Sequence, residues 1–234
     1  MKETIDALVT WMQKVVGDAH AKGIVFGLSG GIDSAVIAGI AKRAFGDDAL
    51  GIIMPIDSHP QDEIDALLVA EALDLKIEKV DLSAAYHAIL DASFVSENTM
   101  AKANLKPRLR MSTLYYYGQD RNYLVSGSSN ASEYYVGYFT KFGDSACDLM
   151  PLVDFVKEEV FALGEALGLP EVVLKKKPTA GLYEGQTDEL EMGFSYKELD
   201  AVIREDYRGE HRDKIDHLHK ISAHKRVLPP KFGK

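Results

Sequence analysis

The stretch "IVFGLSGGIDSAVIAGIAKRA", residues 24–44, narrows the possible folds more than any other part of the chain. The β-branched and aromatic run "GIVFGL", bounded by glycine, is too short for a helix and reads as a buried strand. Small residues interrupt it, and "DSAVIAGIAKRAFG" then resumes at helical spacing and ends near Gly46. The alternation continues with "ALGIIMPI" as strand, "DEIDALLVAEALDL" as helix, "KIEKVDL" as strand, a long helical region across "AKANLKPRLRMSTLYYYG", and "NYLVSG" as strand. Strands separated by helices need right-handed crossovers, and these build a parallel sheet covered on both faces. The predicted class is therefore α/β, a doubly wound parallel sheet. Ahead of it, Ile5, Leu8, Val9, Met12, Val15 and Val16 recur at helical spacing and predict an amphipathic first helix.

Past residue 139 the pattern loosens. "FTKFGDSACDLMPL" is loop-like, "DFVKEEVFALGEALGL" reads as a helix and "KKKPTAGLYEGQTDELEMG" as a long polar loop. A short helix around "SYKELDAVIRE" and a His/Lys-rich segment, "HRDKIDHLHKISAHKR", follow. No internal repeat or low-complexity linker divides the 234 residues, which are enough to bury an ample core, so residues 1–234 are expected to form a single domain.

Charge and cysteine content set the company such a domain keeps. A net charge of -9 opposes nonspecific attachment to nucleic acid or an anionic membrane, so an anionic ligand needs locally placed cations. The one cysteine, Cys147, leaves no internal disulfide, CxxC pair or cysteine-rich zinc site. The N-terminal segment lacks the uninterrupted apolar core of a signal peptide, and no stretch approaches the roughly 20 residues of a membrane span. Together these predict a cytoplasmic chain that partners neither membrane nor nucleic acid.

The turn after the first strand is where chemistry is expected. A strand-to-helix loop presents unpaired backbone N–H groups and the positive end of a helix dipole, which favours an anion. In "SGGIDS", Gly30 and Gly31 let the backbone approach a ligand, and Ser29 and Ser34 add hydroxyl donors. Neither G-x-x-x-x-G-K-[ST] nor G-x-G-x-x-G is present. Asp33 is the informative residue: a carboxylate beside a polyphosphate repels it unless a divalent cation lies between, and Mg²⁺ commonly uses one or two carboxylates plus phosphate oxygens. The alternative makes Asp33 or Ser34 an ordinary helix cap. "LVSGSSNASEYYVGYFTKFGD", residues 124–144, repeats the geometry. Ligands of open α/β sheets collect beyond the carboxyl ends of strands, which would let Ser128 and Glu133 face the same crevice as Asp33. Glu133 could supply a second metal carboxylate or be a solvated helix residue.

The complete string S-G-G-x-D-S between strand and helix resembles the PP-loop of the ATP pyrophosphatases, enzymes with an adenine nucleotide alpha hydrolase-like fold that cleave ATP between its α and β phosphates. In order along the chain, "SGGIDS", "MPIDSHPQDEIDA", "SSNASE…GYFTKFGD", "DLMPL" and "KKPTAGLYEGQTDELEMGFSY" further resemble the NAD synthetases and span residues 27 to about 200. The resemblance implies ATP-dependent amidation of deamido-NAD (nicotinic acid adenine dinucleotide) by ammonia to NAD, AMP and pyrophosphate, through a deamido-NAD adenylate, in the last step of NAD biosynthesis. It implies ATP contacts at Gly27, Leu28, Ser29, Gly30, Gly31, Ile32, Asp33, Ser34, Ser128, Lys157 and Thr179, with Asp33 and Glu133 holding Mg²⁺ as the catalytic pair. Ser128 stands where the family more often has threonine, and keeps the hydroxyl. Without the resemblance Lys157 and Thr179 would read as a surface lysine and a turn threonine. Deamido-NAD contacts are implied at Arg108, Lys141, Asp148, His224 and Lys225, with Arg110 a competitor of Arg108 and Asn104 a candidate on the same helix face. The resemblance also implies a homodimer, and a chain this size has no room for a glutaminase domain.

Other readings stay open at this point. Lys175, Lys176 and Lys177 could clamp phosphate or form a solvated turn. His211, His217, His219 and His224 lack the cysteines or H-E-x-x-H frame of a metal cluster. The "NAS" at 130–132 matches a glycosylation pattern irrelevant to a cytosolic chain. A different PP-loop ATP pyrophosphatase with another acceptor, or a noncatalytic adenine-nucleotide-binding module, would share the first loop; paired metal carboxylates argue against the module.

Overall fold

The computed structural model describes residues 1–179 and 187–233. Helix α1 (Lys2–Asp18) leads into strand β1 (Gly23–Gly27), then α2 (Ile32–Phe45), β2 (Ala49–Ile53), α3 (Pro60–Ala72), β3 (Lys76–Lys79), α4 (Ser83–Ala92), α5 (Thr99–Ala103), α6 (Leu105–Arg121) and β4 (Tyr123–Ser126). The strands form a parallel sheet in the order β3-β2-β1-β4, with Ile24 opposite Ala49 on one side and Leu124 on the other. Chain order runs outward from β1 to β3, then returns across the sheet to place β4 on the free side of β1. The carboxyl ends of β1 and β4 thus flank a topological switch point, the position where open α/β sheets leave a crevice.

Strand periodicity explains the two layers. Ile24 and Phe26 of β1 pack with α1, α2 and α3 on one face, while Val25 joins Leu50, Ile52, Val125 and the apolar sides of α4 and α6 on the other. Both faces are covered at the central strands, so β1 and β2 read as continuous apolar runs, whereas the edge strand β3, Lys-Ile-Glu-Lys, is partly exposed.

The later chain holds α7 (Ala131–Val136), α8 (Lys157–Leu167), α9 (Glu171–Leu174), α10 (Asp188–Met192), α11 (Tyr196–Glu205) and α12 (Arg212–Ile221). Helix α8 packs into the first layer through Val160, Leu163 and Leu167. Helices α7, α10, α11 and α12 gather a smaller core from Val136, Met192, Phe194, Tyr196, Leu199, Val202 and Ile215.

Several sequence expectations are revised. The segment "DFV" lies outside α8, which begins at Lys157 because the Glu159 carboxylate accepts the Val156 N–H and closes the helix start there. The helical region after residue 101 is two helices meeting at Asn104. The polar stretch 175–193 ends in helix α10, capped by Thr187, and the His/Lys-rich segment is helix α12 anchored by Ile215. Residues 180–186 of that polar stretch, part of the block resembling the NAD synthetases, lie outside the described residues.

Candidate active site

The loop after β1 is held open by its own hydroxyls. Ser34 Oγ donates to the Gly31 carbonyl at 3.0 Å and accepts the Ser29 N–H at 3.2 Å, while Ser29 Oγ accepts the Gly31 N–H at 3.3 Å. The N-cap residue of α2 is Gly31, so among the described residues no side chain caps the helix and its first-turn N–H groups face the crevice. Gly30 is required for a steric reason. Its φ is +76°, and a Cβ there would lie 2.5 Å from the Asp62 carbonyl of α3.

The loop after β4 meets this one. Asn130 caps α7, its Oδ1 accepting the Glu133 N–H at 2.9 Å, and its Nδ2 donates to Asp33 Oδ1 at 2.7 Å. Lys157 enters from the start of α8, where its N–H donates to Ser132 Oγ and Asp200 accepts from both Ser132 and the Glu158 N–H, pinning α7, α8 and α11 together. Its ammonium lies 2.6 Å from Asp33 Oδ2 and 3.1 Å from Glu133 Oε1, with only 3% of the side chain exposed. Tyr196 closes the far side: its ring lies beneath the ammonium, and its hydroxyl donates to Asp188 Oδ2 at 2.9 Å and stands 3.4 Å from Glu133 Oε1.

Electrostatics follow from that packing. Burial pushes the Glu133 carboxyl up to about 7; Lys157 opposes the rise, and the neighbouring Asp33 and Asp188 charges add to it. Burial alone would lower Lys157, but Asp33 and Glu133 outweigh it and hold the ammonium above its ordinary range. Burial likewise raises Asp188, against the hydrogen bond from Tyr196. Two carboxylates one hundred residues apart in sequence therefore share a single cation, in a seat shaped for positive charge. Two hard carboxylates beside an anion-binding loop are a donor set that suits a divalent cation completing its shell with phosphate oxygens and water. Among the described residues no group of three His, Cys, Asp or Glu side chains could hold a metal unaided.

Around this cluster opens a cavity of about 950 Å³, large enough for a nucleotide and part of a second ligand. Of the ATP contacts read from sequence, Gly27, Leu28, Ser29, Gly31, Ile32, Asp33, Ser34, Ser128, Lys157 and Thr179 line it, as does Glu133. Gly30 does not line it and acts by its backbone turn. Arg108, Lys141, His224 and Lys225 line its other end, as do Arg110 and Asn104. Here the cations are tied to carbonyls: Arg108 to Asn104 and Lys141, Lys141 to His224, and Lys225 to Gly137 and Phe139. Asp148 stands apart from the lining, accepting the Val125 N–H at 2.7 Å and the Tyr115 hydroxyl at 3.1 Å. The lysine triplet divides. Lys175 pairs with Glu171, Lys176 bridges Asp62 and Asp65 of α3, and Lys177 lines the cavity. His211 bonds Glu198, and His219 stacks on Tyr135. Cys147 is half-buried, and burial pushes its thiol up to about 11, which disfavours the thiolate.

Sequence reasoning missed Asn130, Asp188 and Tyr196. The capping-box spacing in "NASE" was a signal for Asn130 as a helix cap; nothing local signalled that Tyr196 reaches Glu133.

A parallel sheet with an uncapped glycine loop, paired carboxylates and a buried lysine at its switch point defines a nucleotide-binding enzyme of the PP-loop class. The family model described as NAD synthase matches residues 4–229, and the chain belongs to the NAD synthase family. It is 50% identical over 225 residues to the NH(3)-dependent NAD(+) synthetase of Finegoldia magna, covering 96% of this chain and 93% of that protein. Among solved structures it is similar to an NMN synthetase from Francisella tularensis, at 42% identity and a TM-score of 0.93 over 99% of this chain and 98% of that one. It is also similar to the NH3-dependent NAD synthetase of Campylobacter jejuni in complex with the nitrate ion, at 29% identity and a TM-score of 0.85 over 99% of both chains.

Proposed function

We infer that this chain is a carbon–nitrogen ligase that amidates deamido-NAD with ammonia at the expense of ATP, releasing NAD, AMP and pyrophosphate. One observation carries the reading at the level of residues: Asp33 and Glu133, from the loops after β1 and β4, converge on one ammonium at the rim of the sheet. A carboxylate is a poor acyl donor, so an oxygen of the nicotinate carboxylate attacks the α phosphorus of ATP and pyrophosphate leaves. Ammonia then adds to the carbonyl of the resulting adenylate, loses a proton and expels AMP. No side-chain nucleophile is needed. The N–H groups of the loop and the start of α2 hold the departing pyrophosphate, and Lys157 exchanges a carboxylate for a phosphate oxygen as charge gathers on the bridging atoms. Asp33 and Glu133 would hold Mg²⁺, which when bound neutralises phosphate charge. Ser128 and Thr179 orient the nucleotide from the walls. At the other end Arg108, Lys141, His224 and Lys225 would take the phosphates and carboxylate of the acceptor, with Asp148 buttressing β4.

We read the chain as one domain, working as a homodimer in the cytoplasm. Among the described residues no helix is long and apolar enough to cross a membrane, in keeping with that setting. Light scattering on the purified chain checks the dimer.

The deciding assay supplies ATP, Mg²⁺, ammonium and deamido-NAD. Equal amounts of NAD, AMP and pyrophosphate are expected; ADP, or no turnover, overturns the reading. A second acceptor belongs in the same assay because of the likeness to an NMN synthetase. With nicotinic acid mononucleotide in place of deamido-NAD, a higher kcat/KM would move the assignment to the mononucleotide while leaving the adenylation chemistry unchanged.

A further inference from the structure

Asn130 has no part in the reaction as described so far. Its side chain is wholly buried and uses both ends of its amide, Oδ1 on the Glu133 N–H and Nδ2 on Asp33 Oδ1. One planar group therefore touches the backbone that carries one site carboxylate and the side chain of the other, across 97 residues of sequence. We propose that Asn130 is a positioning residue for the reaction: it fixes Asp33 relative to Glu133, so that the two carboxylates meet a divalent cation as a preformed pair. This rests on the reading of Asp33 and Glu133 as the cation-holding residues.

The residue type supports it. A helix cap needs only an acceptor, and Ser, Thr or Asp would serve as well. Capping while donating to a carboxylate needs an acceptor and an N–H₂ held in one plane, which only Asn and Gln possess, and Gln is not a preferred cap. The Glu133 N–H settles the amide's orientation, since it can be met only by the oxygen, which leaves the nitrogen toward Asp33. With Oδ1 of Asp33 taken by Asn130, Oδ2 is the oxygen directed at Lys157 and the space shared with Glu133. A partner of this kind typically matters ten- to a hundredfold in metal affinity.

The test titrates Mn²⁺ into the full chain with a nonhydrolysable ATP analogue, reading free Mn²⁺ by electron paramagnetic resonance alongside thermal melting. Asn130→Ser keeps a capping oxygen and removes the amide N–H₂ that reaches Asp33 Oδ1. Its Mn²⁺ affinity is expected to fall roughly ten- to a hundredfold with little change in melting, and its kcat to recover as metal is raised. In the Asp33→Asn background the same substitution is expected to change affinity by less than about twofold, because its partner is already lost. Should Asn130→Ser melt early, Asn130→Gly replaces it, since N-caps tolerate glycine nearly as well. A folded variant with wild-type Mn²⁺ affinity, an undiminished effect in the Asp33→Asn background, or unfolding of both variants would each overturn the proposal. If Asp33→Asn itself binds Mn²⁺ like the wild type, the cation reading has failed, and this proposal with it.

Discussion

The two ends of the crevice are built differently. At the nucleotide end, charged and polar side chains are buried or half-buried and bonded to one another: Asp33 to Asn130 and Lys157, Lys157 to Glu133, Tyr196 to Asp188. At the acceptor end, Arg108, Lys141 and Lys225 spend their donors on main-chain carbonyls. The first arrangement is preorganised and changes only by exchanging one ion for another. The second is provisional, because a phosphate or carboxylate oxygen is a stronger acceptor than a neutral carbonyl and can take the donor away. On the proposed reading, the fixed end serves the half of the reaction common to all acceptors and the adjustable end the half that differs between them.

Lys157→Met tests the fixed end hardest. Losing a buried charge-assisted donor should cost kcat/KM for ATP roughly ten- to a hundredfold. The ligand-free variant should at the same time bind Mn²⁺ more tightly than the wild type, since the carboxylate pair has lost its resident ammonium; steady-state kinetics reads the first effect and calorimetry the second. Opposite signs are the expected outcome, and a loss of both kcat/KM and Mn²⁺ affinity would reduce Lys157 to scaffolding and erase the contrast. Arg108→Ala probes the other end, with a rise in KM for deamido-NAD of about tenfold, kcat within about threefold and melting unchanged, as befits a bond that exchanges on binding. Steady-state kinetics with the dinucleotide and the mononucleotide in parallel sharpens this, because a contact to the adenylate half of the dinucleotide moves only the former.

The smallest expected effect is in pH dependence. Glu133 is pushed up to about 7 from an ordinary value of 4.5, so the ligand-free fold holds this proton where the unfolded chain has released it. The stability it contributes is complete below about 4.5 and lost as pH rises through about 7. Melting temperature should therefore decline between those limits for the wild type and decline less for Glu133→Gln. Equal slopes would mean that the carboxyl is not buried as described.

Much of the fixed end was legible in sequence because its parts are local. A strand, an uncapped glycine turn and a helix announce an anion site within a dozen residues, and the apolar runs of β1, β2 and β4 betray a sheet covered on both faces. What sequence hid was contact at a distance. Asn130 reads locally as a helix cap, and its second bond depends on β4 lying beside β1, a fact of topology. Helices α10 and α12 were obscured for another reason. The first is five residues long; the second carries Ile215, Leu218 and Ile221 at helical spacing, a period that its His/Lys-rich composition masks. At the acceptor end, side-chain types suggested cations for an anion, but their present partners are carbonyls, which leave no mark in a sequence.

Helix α3 supports two surfaces at once. The backbone of the first loop presses against its Asp62 carbonyl, and Asp62 and Asp65 also grip Lys176, three residues before Thr179. The floor and one wall of the nucleotide chamber therefore stand on the same footing. Any drift of that helix would carry both surfaces along together, so its inward face should be as intolerant of exchange as residues that touch the triphosphate.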